Sequence, residues 1–184
     1  MIMKKVFTFI LLLLFFTGCS QKGTVIILQP YTNSGNQIKI NKEIFISKIN
    51  DLRRNKGVIA TILDSQGSTD EYVMLQNNLA QWVDSSLRSE LASRGANISP
   101  NGTRVEVDIL SLNATLQGYA KDNLKAEAKF EVRIYKDDGT TITKHISQSQ
   151  SKFAPIHTGG AFDPFIWELL RDLVTKTANQ ILIQ

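Results

Sequence analysis

Cys19 is the only cysteine in this chain of 184 residues, and a thiol can act as a nucleophile, a metal ligand or an acceptor for a modifying group. It follows an apolar stretch that runs from Val6 to Thr17, and Lys4 and Lys5 stand just before that stretch. The stretch is too short for a membrane-spanning helix, which needs about 20 apolar residues. A basic start, a short apolar segment and small residues at its end are typical of a secretory signal peptide. We therefore expect Cys19 to mark the end of an export signal.

The segment Phe16–Cys19 resembles the lipobox of bacterial lipoproteins, in which an apolar residue and two small residues precede an invariant cysteine. Phe16 departs from the leucine that is usual at the first position. The resemblance implies that the Cys19 thiol receives a diacylglyceryl group and that the signal is then cut before this residue. Each buried methylene contributes ~0.8 kcal/mol, so two or three acyl chains hold a protein stably on a membrane. The alternative is an ordinary cleaved signal with a chance cysteine.

Ser20 occupies the position that sorts lipoproteins in bacteria with two membranes. By resemblance to that rule, aspartate there favours the inner membrane, whereas serine permits transfer to the outer membrane. We therefore predict a cleaved signal peptide over residues 1–18, a lipidated cysteine with a short tether over residues 19–23, and a single periplasmic domain over residues 24–184. The tether spans at most ~14 Å when extended, so the domain is expected to sit close to the bilayer.

The composition of the chain limits the partners and the kinds of site that can be expected in the domain. Removal of Lys4 and Lys5 lowers the net charge of +4 by two, which gives no reason to expect nucleic acid as a partner. No cysteine remains after Cys19, so the domain has no disulfide and no thiolate metal site. A domain of this length can bury a substantial core, and packing is expected to supply its stability.

The two histidines are the residues whose side chains could act in catalysis or bind a metal ion. His145 falls in a predicted strand among serines and threonines, and His157 lies in a loop before the second predicted helix. Neither has a second ligand at the spacing that metal sites use. We therefore predict no catalytic residue, no cofactor and no metal, and we expect both histidines to be structural or solvated.

Two further motifs permit a functional interpretation. The segment His157–Pro164 places glycines before a helix, as phosphate-binding loops do, but it lacks the GxxxxGK[ST] spacing, and Asp163 would repel an anion. We favour a flexible loop here. The basic residues Arg53, Arg54 and Lys56 could contact acidic lipid or the phosphates of lipopolysaccharide, but a solvated turn is the favoured interpretation.

Alternation of apolar and polar residues predicts an antiparallel sheet. The cleanest strand is 124–135, where one face is apolar and the other charged, and Asp138-Gly139 then predicts a hairpin turn. The phase of the pattern slips near Ile109 and Leu110, which predicts a β-bulge. The other predicted strands cover residues 24–30, 43–49, 58–64, 72–75, 104–116 and 141–153.

Two amphipathic helices are predicted to pack on one face of this sheet, giving an α+β domain. The first begins after Asn78 as N-cap and ends at Arg94 and Gly95. The second opens with Asp163 as N-cap and Pro164 at the first helical position.

The first helix carries an apolar stripe that includes Trp82 and Leu87. We expect this stripe to pack on the sheet through residues such as Phe130 and Val132. The competing interpretation is that the stripe is an exposed docking surface for a partner.

Several of these features together resemble the YajG-like family of uncharacterised bacterial lipoproteins. They are the lipobox cysteine, an early strand that ends in proline, the helix end Leu91–Gly95, the Pro100–Gly102 turn, the strand 105–112 and a long charged hairpin before a C-terminal helix. The resemblance implies an outer-membrane lipoprotein with a periplasmic domain and no established activity. Cys19 is the only functional position that it transfers.

We therefore predict a non-enzymatic envelope protein that is held on the membrane by acyl chains at Cys19 and that binds or scaffolds an envelope protein partner. The alternative is an accessory lipoprotein that handles lipid or substrate in a small apolar cleft for an envelope transport or assembly system.

Overall fold

A computed structural model describes residues 22–33 and 40–184 of the chain. Cys19, Ser20 and the predicted signal peptide lie outside the described residues. The described part contains eight strands, two long helices and one short 3₁₀ helix. In chain order they are β1 Lys22–Ile26, β2 Glu43–Asp51, β3 Val58–Leu63, β4 Thr69–Leu75, α1 Leu79–Ser93, β5 Asn97–Ile98, β6 Thr103–Gln117, β7 Leu124–Tyr135, β8 Thr141–Lys152, the 3₁₀ helix Gly159–Ala161 and α2 Phe162–Leu182.

All eight strands form one sheet around the long strand β6. On one side of β6, β7 pairs along nearly its whole length, and β8 pairs with β7. On the other side, the N-terminal half of β6 pairs with β2 and its C-terminal half pairs with β3. β4 then joins β3, β1 joins β4, and β5 joins β2. β6 is therefore the strand through which both halves of the sheet are connected.

The α+β class is confirmed, but the prediction of an antiparallel sheet is wrong. The sheet is mixed, and four of the seven pairings among the described strands are parallel. Alternation along a strand shows that one face is wet, but it does not show the direction of the neighbouring strands. β2 and β3 both return beside β6 through long connections, and such connections are what parallel pairing requires.

The β-bulge is confirmed at the predicted place, because the register between β6 and β7 shifts between Ile109 and Ser111. The bulge also lies between the part of β6 that pairs with β2 and the part that pairs with β3. Leu52, just after β2, donates its backbone N–H to the Ile109 carbonyl at 3.0 Å, and β3 takes over at Ala114. The predicted first strand 24–30 is shifted, since β1 ends at Ile26. β5, which has two residues, was not predicted.

α1 begins and ends as predicted. The Asn78 side chain accepts the backbone N–H of Gln81 at 3.1 Å, which is the N-cap bond. At the other end Gly95 has a φ of +86°, and the N–H of Ala96 donates to the Leu91 carbonyl at 3.1 Å. This is the Schellman closure of a helix, which requires a left-handed residue that glycine adopts without strain.

The predicted N-cap of the second helix is wrong. α2 begins at Phe162 with Ala161 as its N-cap, and no side chain caps it. The 3₁₀ turn Gly159–Ala161 leads directly into the helix, so the helical course starts before Asp163. Asp163 instead lies in the first turn, where its negative charge interacts favourably with the helix dipole.

Both helices pack on the sheet and against each other. α1 lies mainly over β2 and β5, while α2 lies over β7 and β8. Phe130 and Val132 of β7 are fully buried, as expected, but α2 rather than α1 is their principal cover. The apolar stripe of α1 is buried in the core, which rules out the docking-surface interpretation; its members are Leu79, Trp82, Val83, Leu87 and Leu91.

The Pro100–Gly102 turn has a steric reason for its glycine. A Cβ at Gly102 would overlap with the backbone of Glu43 and Ile44, at the start of β2. The turn therefore brings the chain against β2 as it enters β6. Only glycine permits this close approach of two backbones.

Candidate functional site

A network of paired charges covers part of the sheet face that faces away from the helices. Arg133 of β7 lies at its centre and donates to Asp108 at 2.7 Å, to Glu131 at 2.6 Å and to Glu106 at 3.3 Å. Asn50 adds a bond to Asp108 at 2.7 Å, and the Tyr135 hydroxyl donates to Glu106 at 3.0 Å. These side chains come from β2, β6 and β7, so the network ties the three strands together on their polar face.

The hydrogen bonds of this network lower the pKa of two of its carboxyl groups, Glu106 and Asp108. The hydrogen bond from Arg104 lowers the pKa of Glu106, and those from Tyr135 and Arg133 lower it further. Burial opposes ionisation of Asp108, but hydrogen bonds from Arg133 and Asn50 outweigh it and lower the pKa of that carboxyl. Both carboxylates are held ionised by fixed partners. Groups held in one charge state in this way stabilise a surface and are poorly suited to proton transfer.

The exposed edge of β8 is the strongest candidate for a binding site. β8 has twelve residues, and among the described strands β7 is its single neighbour. Ile146 is its one buried residue. The remaining side chains are mostly short and polar or charged, as the sequence TITKHISQSQSK shows. A free edge of this length presents backbone N–H and C=O groups that can pair with a strand of another protein.

A recess of about 490 Å³ lies beside this edge, between β8 and α2. Its lining is chiefly polar: Lys144, His145, Ile146, Ser147, Lys176, Asn179 and Gln180. Gln150 of β8 also donates to the Phe165 carbonyl of α2 at 2.6 Å, which fixes the strand against the helix. The edge is therefore rigidly supported and has room beside it for the side chains of an added strand.

His145 lies in β8 with an exposed ring, as predicted. Its Nδ1 is 3.7 Å from Glu131 Oε2, and it faces solvent beside the charged network. His157 is placed differently. Its Nε2 contacts the Gly118 carbonyl and lies 3.5 Å from the Asn123 amide, and its ring stacks on Tyr119 at 4.2 Å between centroids. His157 therefore joins two loops.

Asn123 is a structural residue that the sequence did not reveal. Its side chain is buried and donates to the carbonyls of Gly118 and Ala154, each at 2.8 Å, while its oxygen accepts the N–H of Ala154 at 2.8 Å. The loop before β7 is thereby fixed to the loop after β8. A single asparagine in a loop carries no distinguishing pattern, so only the structure shows this role.

The glycine-rich segment before α2 is neither a phosphate loop nor an open flexible loop. Gly159 is buried, and a Cβ there would overlap with Thr24 of β1 and the carboxylate of Glu71 of β4. Thr24 also donates a hydrogen bond to Glu71. The glycine is needed for close packing on the β1–β4 edge, and the adjacent carboxylate is unfavourable for a phosphate.

The basic cluster does not form one uniformly solvated turn. The Arg53 side chain is buried, donates to Asp51 at 2.7 and 2.9 Å, and reaches the Lys56 carbonyl at 3.2 Å. Its Nη1 is buried and has no hydrogen-bond partner among residues 22–33 and 40–184. Arg54 and Lys56 are exposed, as the turn interpretation expects. Arg53 is therefore part of the structure of the turn and is not available to a lipid headgroup.

The described part of the chain also carries recesses on its surface. Four recesses on the described part, including the one between β8 and α2, are lined mostly by polar residue types. In residues 22–33 and 40–184 no group of three or more His, Cys, Asp or Glu side chains is placed to hold a metal ion. None of the helices in these ranges has the length and apolar character needed to cross a bilayer.

Comparison with known proteins places most of the chain in a family. A family model described as an uncharacterized lipoprotein matches residues 30–182. No curated protein sequence matches the chain.

Solved structures resemble it at low sequence identity. A crystal structure of a protein from Xanthomonas campestris, of the family designated DUF330, has a TM-score of 0.62 at 9% identity and covers 87% of this chain and 95% of its own. That similarity shows a shared fold. A minor lipoprotein from Acinetobacter baumannii gives a TM-score of 0.38 at 12% identity, with 79% of this chain and 91% of its own covered.

Proposed function

The chain belongs to the family of uncharacterised lipoproteins whose model covers residues 30–182, and we propose that it is a lipid-anchored, non-enzymatic protein of the outer membrane that binds another envelope protein from the periplasmic side. Family membership supports an anchored envelope protein, and Cys19 is the residue that would carry the anchor. The binding role is supported by one observation, the free edge of β8. A strand of the partner would add to β8 and extend the sheet.

Three properties of β8 support strand addition. Its edge is long enough to form many backbone hydrogen bonds, it is fixed against α2, and its polar side chains keep it from aggregating when no partner is bound. The charge network on the neighbouring strands ties β2, β6 and β7 together, so binding at β8 is expected to require little reordering of the sheet.

Site-specific cross-linking tests the binding role. A photoreactive amino acid at Ser147, which lies in the middle of β8, is expected to give discrete cross-linked products in intact cells, since a strand added at this edge lies within reach of its side chain. The same amino acid at Ser85, an exposed position on α1, is the matched control and is expected to give no such product. Equal cross-linking at Ser147 and Ser85 would show that the β8 edge is not a specific binding site.

Loss of the thiol tests the anchor. The variant Cys19→Ser is expected to accumulate as an unlipidated precursor that still carries its signal, because the thiol is the acyl acceptor. Metabolic labelling with a fatty-acid probe measures this directly, and Ser20→Ala serves as a neighbouring control that keeps the label. Equal labelling of Cys19→Ser and the unaltered protein would contradict lipidation at Cys19.

The sorting position tests the outer-membrane location. Ser20→Asp is expected to move the protein toward inner-membrane fractions of a sucrose gradient, because aspartate after the lipidated cysteine favours retention. Ser20→Ala is expected to stay with the outer membrane. If Ser20→Asp does not move, Ser20 does not determine the destination.

A further inference from the structure

A row of paired residues runs across the sheet at the level where β1 begins. Lys22 at the start of β1 pairs with Glu71 near the start of β4, and β4 runs antiparallel to β3, so the end of β3 lies at the same edge. There Leu63 of β3 pairs with Gln117 at the end of β6. Leu116 then pairs with Leu124, and Leu124 pairs with Lys152 at the end of β8. One end of the sheet therefore carries the start of β1 and the loops that follow β3, β6 and β8. We call it the anchor end, because Cys19 lies three residues before Lys22 in the sequence.

The anchor end presents three large apolar side chains to solvent. Tyr119 in the β6–β7 loop is 73% exposed, and Phe153 and Ile156, which follow β8, are 51% and 66% exposed. They lie in the two loops that the buried Asn123 fixes to each other. We call these three residues the apolar tip.

The apolar tip is held close to β1 by contacts. Tyr119 stacks on His157, and Gly159, two residues later, packs against Thr24 of β1. Three residues of extended chain separate Lys22 from Cys19, which is at most ~11 Å. Adjacent strands are about 4.8 Å apart, so β6 lies about 14 Å from β1 across the sheet. A bilayer that holds acyl chains at Cys19 is thus within reach of the same loops.

We propose that the anchor end rests on the membrane and that Tyr119, Phe153 and Ile156 insert into its interfacial region. This inference rests on the proposed lipid anchor at Cys19. Aromatic residues with a polar group prefer the headgroup level of a bilayer, and a short apolar cluster beside an acyl anchor adds a second point of attachment. Two attachment points fix the orientation of the domain, whereas acyl chains alone would leave it free to rotate about the tether.

The charges at this end indicate that apolar contact, rather than attraction to anionic lipid, determines the orientation. Exposed lysines at 121, 125 and 152 are accompanied by acidic residues at 64, 70 and 122. Because the signs are mixed, the contact is expected to change little when salt screens the charges.

Depth-dependent quenching tests the proposal. Ala120→Cys, an exposed position beside Tyr119, is labelled with the fluorophore NBD in the lipidated protein, whose Cys19 thiol is already blocked by the acyl group. The protein is reconstituted into vesicles of phosphatidylethanolamine and phosphatidylglycerol that contain lipids spin-labelled near the headgroup. The matched control is Asp137→Cys, in the exposed β7–β8 turn at the opposite end of the sheet. We expect blue-shifted, strongly quenched emission at position 120 and unquenched emission at position 137.

Two further outcomes separate the apolar tip from the anchor. Adding Tyr119→Ser and Ile156→Ser to the Ala120→Cys protein is expected to abolish the quenching while the protein still floats with the vesicles. Quenching that is equal at positions 120 and 137, or that survives these substitutions, would overturn the proposal and leave the anchor intact. Protein that carries no fatty acid and fails to float would overturn the anchor itself and, with it, this inference.

Discussion

Arg94→Met is expected to lower the free energy of unfolding by about 3–5 kcal/mol, because it removes one partner of a buried ion pair. Arg94 donates to Glu90 at 2.6 and 2.8 Å, and the two side chains are 3% and 0% exposed. The pair links the segment after β1 to both helices. The Tyr31 hydroxyl of that segment donates to Glu90 of α1 at 2.6 Å, and Arg94 donates to Asn179 of α2. Burial and the Glu90 carboxylate also raise the pKa of Tyr31, so this hydroxyl remains a donor.

Urea denaturation of the domain measures this loss, and the chain offers a matched control. Arg88 forms an i,i+4 pair with Asp84 in the same helix, but both of those side chains are more than a third exposed. Asp84→Asn, which removes this exposed pair and leaves the bond from Arg88 to the Ile46 carbonyl in place, is expected to cost at most about 1 kcal/mol. Replacing both residues together, as Glu90→Met with Arg94→Met, is expected to recover part of the loss, because no unpaired charge is then buried. Equal losses for Arg94→Met and Asp84→Asn would show that the Arg94 pair is not desolvated.

Leu87→Ala is expected to lower the free energy of unfolding by about 2–5 kcal/mol and to lower the melting temperature accordingly. Leu87 of α1 is fully buried in the hydrophobic core. Its truncation therefore loses the transfer free energy of the removed atoms and leaves a cavity. Thermal melts of the domain measure the change. A melting temperature close to that of the unaltered protein would contradict the placement of α1 in the core.

Gln81→Ala is the control for this helix. Gln81 is exposed, and its capping bond uses the backbone N–H, which alanine retains. Its melting temperature is expected to be nearly unchanged. Arg88, which the helical pattern places on the wet face, is less suitable here, because its guanidinium donates to the Ile46 carbonyl of β2 at 2.9 Å and so takes part in packing.

Features of the fold that depend on local sequence were predictable. The cap of α1, its left-handed Gly95, the bulge near Ile109 and the β7–β8 hairpin each follow from the conformational preferences of a few neighbouring residues. The start of α2 was not predictable from local sequence, because the 3₁₀ turn before it depends on the fit of Gly159 against β1 and β4. A contact between residues so far apart in the sequence leaves no periodic signal.

In the candidate site, too, local features were predictable from the sequence and features that depend on tertiary packing were not. The wet face of β7 was evident from its alternation, yet the pairing of Arg133 with Glu106 and Asp108 depends on strand register, which alternation does not specify. The sequence placed Arg53 in a solvated turn and Arg94 at the end of a helix, and neither pattern indicates a buried side chain. Their burial results from tertiary packing. The free edge of β8 is likewise a property of the strand order.

The central place of β6 also has a consequence for the order in which the protein folds. β2 and β3 both need β6 as a partner, and β6 follows them in the chain after β4, α1 and β5. Among the described strands before β6, β3 and β4 form an antiparallel hairpin to which β1 adds, whereas β2 pairs only with the two-residue β5 and with β6. The N-terminal half of the domain therefore cannot complete its sheet until residues up to Gln117 are available. We therefore expect the complete sheet to form only after β6 is available, with β6 as the strand on which its two halves assemble.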